Sequence, residues 1–291
     1  FLKRHRPDAV FLDVEMPDMD GIELSSRILE LQENIAVIFV TAYNQYAVEA
    51  FRLNALDYLL KPVSADRLKK TLNRIIEEKA IPMQPAVLQV LCFGKLRVLA
   101  GSDEVKFRTE KAEELFAFLV DQGGRFVGRN KIIDCLWEDY EGDRALIHFN
   151  TTLHYVKKAL LQHGVKLPIG HDRGSYRFDT RGLDCDYCRF HTLSESPLTI
   201  NEDSLSKYEE AAALYKGEYL SGSEFAWAER NRQMLKDLYI NILLKLSEYY
   251  TETCEREKVI EWMKTGLIHE PLHREMNYLL IEALLSNNDR I

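Results

Sequence analysis

Asp13, Thr41 and Lys61 are residues whose types and surroundings fit one chemistry. A carboxylate at the end of an apolar run, flanked by a tight turn, can act as a nucleophile towards phosphorus. The phosphoryl group it would acquire adds a charge of roughly −1.5 to −2, and a hydroxyl and an ammonium are the donors that offset such a charge. Each of the three stands where an apolar stretch stops. Ala9 to Leu12 delivers Asp13, Ile35 to Val40 delivers Thr41, and Tyr58-Leu59-Leu60 delivers Lys61-Pro62. Short apolar, β-branched runs of this kind fill buried parallel strands. In open α/β sheets, ligands bind at the carboxyl ends of such strands. Beyond Asp13, the residues Pro17, Asp18, Asp20 and Gly21 spell a turn, and Ile22, Leu24, Ile28, Leu29 and Leu31 recur at helical spacing.

The stretches D-V-E-M-P-D-M-D-G from 13 to 21, T-A at 41 and 42, and D-Y-L-L-K-P from 57 to 62 resemble the receiver domain of bacterial response regulators, a flavodoxin-like α/β fold. The resemblance implies that Asp13 is the phosphoacceptor and that Asp13, with the backbone carbonyl of Glu15, binds Mg²⁺. It also implies that Thr41 and Tyr58 are the switch hydroxyl and switch aromatic, that Lys61 pairs with the phosphate, and that Lys61-Pro62 is cis. A receiver begins with a strand, a Mg²⁺-binding acidic pair, a helix and a second strand, and none of these precedes Phe1. Residues 1–80 are therefore expected to be an amino-terminally truncated receiver, with Mg²⁺ belonging to the complete domain.

The 291 residues suggest two or three domains, and 46% hydrophobic with 29% charged residues is ordinary globular composition. No apolar run approaches the roughly 20 residues that span a bilayer, and Phe1-Leu2-Lys3-Arg4 lacks a signal-peptide layout, so no membrane partner and a cytoplasmic location are expected. The five cysteines have no disulfide-framework spacing. Cys185-x-x-Cys188, with His191 three residues on, can be read as a metal or redox motif, yet structural zinc needs four ligands and no second pair lies nearby in sequence. A net charge of −8 excludes uniform DNA coating but not a local basic face.

Ala65 to Lys79 reads as an amphipathic helix with Leu68, Leu72, Ile75 and Ile76 on one side. The proline-containing segment 81–86 is the expected linker. Residues 87–107 switch to the short period of antiparallel strands, V-L-Q-V-L-C-F, K-L-R-V-L-A and E-V-K-F, separated by glycine turns. Helices follow from Thr109, a candidate N-cap, to Gly123-Gly124, from about Arg129 to Trp137, and from near Arg144. In the third, Leu146, Phe149, Leu153, Val156 and Leu160 form the buried stripe, leaving Asn150, Thr151, His154, Lys157 and Lys158 opposite. No Asp or Glu occurs from Arg144 through His171, so this face can meet an anion without self-repulsion.

A hairpin carrying Arg173 and Arg177 follows, with K-L-P-I and S-Y-R-F as its arms. Three helices and a basic hairpin make an α+β winged helix, whose third helix enters the major groove while the wing reaches phosphates or the minor groove. The expected DNA contacts are Arg144, Asn150, Thr151, His154, Lys157, Lys158, Arg173 and Arg177, with Asn and Lys able to bond base edges or phosphates and Thr, His and Lys mostly positioning the backbone contact. L-Q-V-L-C-F-G-K-L-R-V, K-A-E-E-L-F-A-F-L-V, L-W at 136, V-K-K-A-L from 156 and G-S-Y-R-F resemble the winged helix of the antibiotic-regulatory (SARP) class of bacterial activators, expected here over 87–180. Val156-Lys157 stands where that class usually has Leu-Arg, which keeps the charge without a guanidinium fork.

From Asp184 the pattern is helical, with stripes through Tyr208 and Tyr215, Leu235 and Leu246, Val259 and Met263, and Met276 and Ala283. Gly217, Gly222 and Gly266 punctuate them, and Pro271 suits the first turn of the last helix. An all-α, tetratricopeptide-like solenoid over 181–291 is expected. D-Y-C-R-F at 186, L-Y-K-G-E-Y-L at 214, W-A-E-R-N-R at 227 and E-P-L-H-R-E at 270 resemble the bacterial transcriptional activator domain, expected to be carboxyl-terminally incomplete at Ile291.

The combined expectation is a multidomain, non-enzymatic two-component response regulator. A sensor histidine kinase would phosphorylate Asp13, a homodimer would bind DNA, and the helical domain would contact RNA polymerase or another partner. Two alternatives are a phospho-regulated interaction adaptor without DNA binding, and an aspartate-nucleophile phosphatase with Glu15 as general acid.

Overall fold

A computed structural model of the chain describes residues 5–17, 19–32, 35–46, 50, 55–79, 88–140, 142–165, 169–172, 175–180, 182–194 and 200–288. Strand β1 (Ala9–Leu12), helix α1 (Gly21–Leu31), β2 (Ala36–Thr41), β3 (Asp57–Leu60) and α2 (Ala65–Lys79) come first. The expected linker at 81–86 lies outside the described residues. Then come β4 (Leu88–Leu91), β5 (Arg97–Ala100), β6 (Asp103–Glu104), α3 (Glu110–Asp121), β7 (Val127–Gly128), α4 (Arg129–Leu136), α5 (Gly142–Leu161), β8 (Ile169–Asp172) and β9 (Ser175–Phe178). The chain ends in β10 (Asp184–Cys185), α6 (Asp186–Ser194), α7 (Glu202–Leu214), α8 (Glu229–Glu252), α9 (Arg256–His269) and α10 (Arg274–Asn288). Contacts divide it into two compact units, 1–86 with 106–178 and 87–105 with 179–291.

In the first unit β1, β2 and β3 form a parallel sheet in that order. Because strand side chains alternate, Val37 and Phe39 of β2 pack with Leu12, Val14, Ile28 and Tyr58, while Ile38 packs on the other face with Leu59 and Ile75. Both faces of β2 are thus buried, as its unbroken apolar run requires. Asp20 caps α1 by accepting the Ile22 N–H at 2.8 Å. Leu68 and Leu72 of α2 are 37% and 42% exposed, whereas Thr71 and Ile75 are buried. The helix is rotated towards a polar partner, Asp57, that hydrophobic spacing does not register.

The same unit holds α3, α4 and α5 with the antiparallel sheet β7-β9-β8. Thr109 caps α3 through the Ala112 N–H at 3.2 Å. Lys111 reaches across to donate to the Leu136 carbonyl at 2.9 Å, satisfying the end of α4. The aromatic core runs Trp137–Phe149–Tyr176, with ring centroids 6.1 and 5.1 Å apart. Gly170, His171 and Asp172 belong to β8 rather than to the turn, since Gly170 pairs with Arg177 and Asp172 with Ser175; the tip at 173–174 lies outside the described residues.

In the second unit β4, β5 and β6 pair antiparallel, and β10 adds to β4 in parallel. The strands that the sequence groups with the winged helix therefore share a compact unit with 179–291. Asp186 at the start of α6 is the clamp. Its buried carboxylate accepts from the N–H groups of Cys92 (2.7 Å), Phe93 (3.0 Å) and Tyr187 (2.6 Å). Gly266 lies inside α9, not at a break; a Cβ there would stand 2.5 Å from Leu243 Cδ1 and 2.6 Å from Met276 Sδ, so it permits close helix packing. Pro271 precedes α10 by three residues and sits in the α9–α10 turn, not in the first helical turn.

Candidate phosphoacceptor site and nucleic-acid face

The carboxyl ends of the three parallel strands bring Asp13, Thr41 and Lys61 together. Lys61 Nζ lies 2.6 Å from Asp13 Oδ2, across 48 positions of sequence. The Lys61–Pro62 bond is cis, as the resemblance implies. Lys61 holds the Asp13 carboxyl below the ordinary Asp range, with Thr41 and the Val14 N–H adding to the pull against some desolvation. The ammonium is 51% exposed and the carboxylate 31%, so the pair is reachable from solvent and contributes little to stability. Asp13 Oδ1 is buried with no hydrogen-bond partner among the described residues.

Main chain clamps the acid's position. The Gly21 N–H donates to the Val14 carbonyl at 2.8 Å, and a Cβ on Gly21 would lie 1.9 Å from the Asp13 carbonyl oxygen. Tyr58 is 8% exposed, tilted on Phe39 at 6.2 Å, and its hydroxyl donates to the Tyr43 carbonyl. Burial, with the Asp13 charge, raises the Tyr58 phenol. Glu15's carboxylate accepts a hydrogen bond from the Tyr43 hydroxyl and raises that phenol.

Two features here escape a reading of motifs. Tyr43, 41% exposed at the rim, joins Glu15 to Tyr58 through its side chain and its carbonyl. Asp57, the first residue of D-Y-L-L-K-P, is fully buried and accepts from Arg67 at 2.7 Å, Thr71 at 2.6 Å and the Tyr58 N–H at 3.0 Å. The only signal for it in the sequence is an acid opening an apolar strand, which is costly unless paired.

On α5, the side chains of Phe149, Leu153, Val156 and Leu160 are buried, as the periodicity predicts, while Leu146 is half-buried. Arg144 and Lys158 are exposed; Asn150, Thr151, His154 and Lys157 are half-buried along the same helix. Burial pushes the His154 imidazole down to about 4, with Lys158 and Lys157 adding to the effect, so it is neutral at pH 7. Arg177 on β9 stacks over the Phe126 ring at 5.1 Å. Arg173 lies outside the described residues.

The thiols of Cys92 and Cys185 and an Asp186 oxygen lie within 4.8 Å of one another. His191 is not in that group, its ring being 6.2 Å from Tyr187's.

Comparison with known proteins matches the response regulator receiver domain over residues 1–73 and the bacterial transcriptional activator domain over 185–290. An uncharacterised response regulatory protein of Vibrio cholerae is 33% identical over 165 residues, covering 55% of this chain and 60% of that protein. The transcriptional regulatory protein LytR of Staphylococcus aureus is 48% identical over 73 residues, 25% of this chain and 30% of that protein. The chain thus spans under two thirds of the length of these relatives. Among solved structures, Mycobacterium tuberculosis EmbR in complex with a low-affinity phosphopeptide matches 68% of this chain and 54% of its own at a TM-score of 0.53 and 19% identity, a likeness of fold. The chain joins a receiver domain to a bacterial transcriptional activator domain in a multidomain α/β and helical fold.

Proposed function

We propose that this chain, carrying a receiver at one end and an activator domain at the other, is a two-component response regulator whose phosphorylation on Asp13 by a sensor histidine kinase controls sequence-specific DNA binding and transcription. The observation that carries the reading is the Lys61–Asp13 contact at the carboxyl edge of a parallel sheet. An acid kept ionised, reachable and beside one ammonium is poised to attack phosphorus. Lys61 and Thr41 then have donors for the added oxygens, and the Tyr58 hydroxyl, bonded to the Tyr43 carbonyl, sits behind them as the group that would report the change. The Glu15 carboxylate, which an aspartate phosphatase would use as general acid, is engaged by Tyr43.

Mg²⁺ fits what is present: Asp13 Oδ1 is a buried oxygen in need of a partner, and the Glu15 carbonyl offers a second hard donor. Bound there, it would neutralise charge on the incoming phosphoryl group. We assign the receiver to 1–80, the linker to 81–86, the DNA reader to 87–180 and the activator domain to 181–291. DNA would meet Arg144, Asn150, Thr151, His154, Lys157 and Lys158 of α5, with Arg173 and Arg177 of the wing. The acid-free run from Arg144 to His171 supports DNA over a protein partner for this face. A homodimer placing two winged helices on repeated half-sites, and an activator domain touching RNA polymerase, complete the proposal.

The test uses the whole chain. Exposure to a small acyl phosphate with Mg²⁺ should add one phosphoryl group, lost in Asp13→Ala. Selection of genomic fragments should recover a repeated motif, and Lys157→Ala with Lys158→Ala should flatten the log-affinity against log-salt slope by about 2, at about 0.9 per phosphate contact. No enrichment at low salt, before or after phosphorylation, would leave the adaptor reading in its place.

A further inference from the structure

Cys92 and Cys185, remote in sequence, bring their thiols together where β4, β10 and α6 join, with Cys188 in the first turn of α6 beside them. Cys185 stands immediately before α6, and its sulfur accepts the Cys188 N–H at 3.4 Å, taking the place of a capping oxygen at that helix start. The thiols of Cys188 and Cys92 both direct hydrogen bonds at the same sulfur, and Cys92 Sγ lies within 4.8 Å of it. Exposure is graded: Cys92 is fully buried, Cys185 is 3% exposed, and Cys188 is half-buried. An outer thiol against an inner, hydrogen-bonded sulfur is the arrangement that disulfide exchange needs, an entry atom and a resolving atom.

We propose that Cys185 and Cys188 form a thiol–disulfide exchange site for low-molecular-weight disulfides, with Cys188 as the entry sulfur and Cys185 as the resolving one. The hydrogen bonds lower the Cys185 thiol and raise that of Cys92, so of this pair Cys185 holds the negative charge. In the first step Cys188 passes its proton to Cys185 and attacks one sulfur of the small disulfide. That S–S bond breaks and one small thiolate leaves, recovering the proton from Cys185. The Cys185 thiolate then attacks Cys188 Sγ and expels the second small thiolate. The two cysteine sulfurs lose two electrons, and the small disulfide gains them as one thiol and one thiolate. Asp186 stays outside the chemistry, since its oxygens hold the N–H groups of Cys92, Phe93 and Tyr187.

The experiment uses the full chain with exposed Cys135 and Cys254 changed to Ser, leaving Cys92, Cys185 and Cys188. Treated with oxidised glutathione, this protein should lose two titratable thiols and yield a peptide lighter by two hydrogens that contains Cys185 and Cys188. Adding Cys185→Ser, which preserves a capping oxygen, should trap one glutathione on Cys188 at a pH above the ordinary Cys value of about 8.5, where the thiol ionises without Cys185 to take its proton, because nothing resolves it. Adding Cys188→Ser should leave the remaining thiols intact. The proposal is overturned if Cys185 and Cys188 stay reduced at concentrations that fully modify Cys135 and Cys254 in the parent, if the recovered disulfide joins Cys92, or if Cys185→Ser accumulates no adduct while far-ultraviolet circular dichroism shows it folded.

Discussion

Asp13 and Asp57 sit at opposite ends of one parallel sheet and are partnered in opposite ways. Asp13 leaves the carboxyl end of β1 with one salt-bridged oxygen, one buried oxygen without a close hydrogen-bond partner among the described residues, and a lysine half open to solvent. Asp57 opens β3 at the amino end, is wholly buried, and has donors from Arg67, Thr71 and its own neighbour's N–H, with Arg74 at 3.8 Å. The same functional group is kept incomplete at the edge where ligands enter and is saturated at the edge where helix α2 must be fixed. Unfilled bonding capacity, rather than the carboxylate itself, separates the proposed phosphoacceptor from the structural acid.

The largest expected effect tests the structural side. Asp57→Ala strands Thr71 and Arg67 and should lower receiver stability by about 3 kcal/mol, read from the urea midpoint. Asp13→Ala should change that midpoint by less than about 1 kcal/mol, since its ion pair is exposed, and should abolish phosphoryl uptake. Equal destabilisation by the two would erase the distinction.

Gly21→Ala should follow, at about 2 kcal/mol. Its Cβ meets the Asp13 carbonyl oxygen, a backbone atom that cannot swing aside. Phosphoryl uptake should fall with it although no side chain of the site has changed. Unaltered uptake would show that the turn does not set the position of Asp13.

How far these acids can be told apart in the sequence depends on what sets their surroundings. Asp13, Thr41 and Lys61 are legible because apolar runs mark strand ends, and parallel strand ends converge. Asp57 is not, because its partners lie ten and fourteen residues on, on a helix whose leucine spacing points to a different face. The capping of α3 by Thr109 and the buried stripe of α5 were readable from local chemistry. The join of β10 to β4 was not, since two residues pairing across 95 positions leave no period. The meeting of Cys92 with Cys185 stays hidden for the same reason, as only Cys185-x-x-Cys188 is local.

A finer test asks whether Lys61 is what keeps Asp13 ionised. The Asp13 carboxyl, followed by carbon-13 NMR, should titrate below 3.8, and Lys61→Met should raise its midpoint. Because the folded value is depressed, the stability it contributes is present above the unfolded value of about 3.9 and lost as pH falls through the folded one. Lys61→Met should flatten that acid-side loss by lowering stability near pH 7, by less than about 1 kcal/mol for so exposed a pair, while leaving stability below the folded value unchanged. An unmoved midpoint would assign the effect to Thr41 and the Val14 N–H instead.

His154 extends the rule to a titratable group whose surroundings disfavour its charge. Burial and two neighbouring lysines disfavour its charged form, holding it at about 4 against an ordinary 6.5. Between those values the unfolded chain binds the extra proton, so stability should rise with pH across that window and level off above it. His154→Gln should flatten the rise by removing the proton. DNA affinity should then be insensitive to pH between about 6.5 and 8 on account of this residue, because the imidazole is already neutral there. A salt slope that steepened as pH fell from 8 to 6.5, and ceased to do so in His154→Gln, would place a charged imidazole at the nucleic-acid face and make His154 the counterpart of Asp13: a group left incomplete for a ligand.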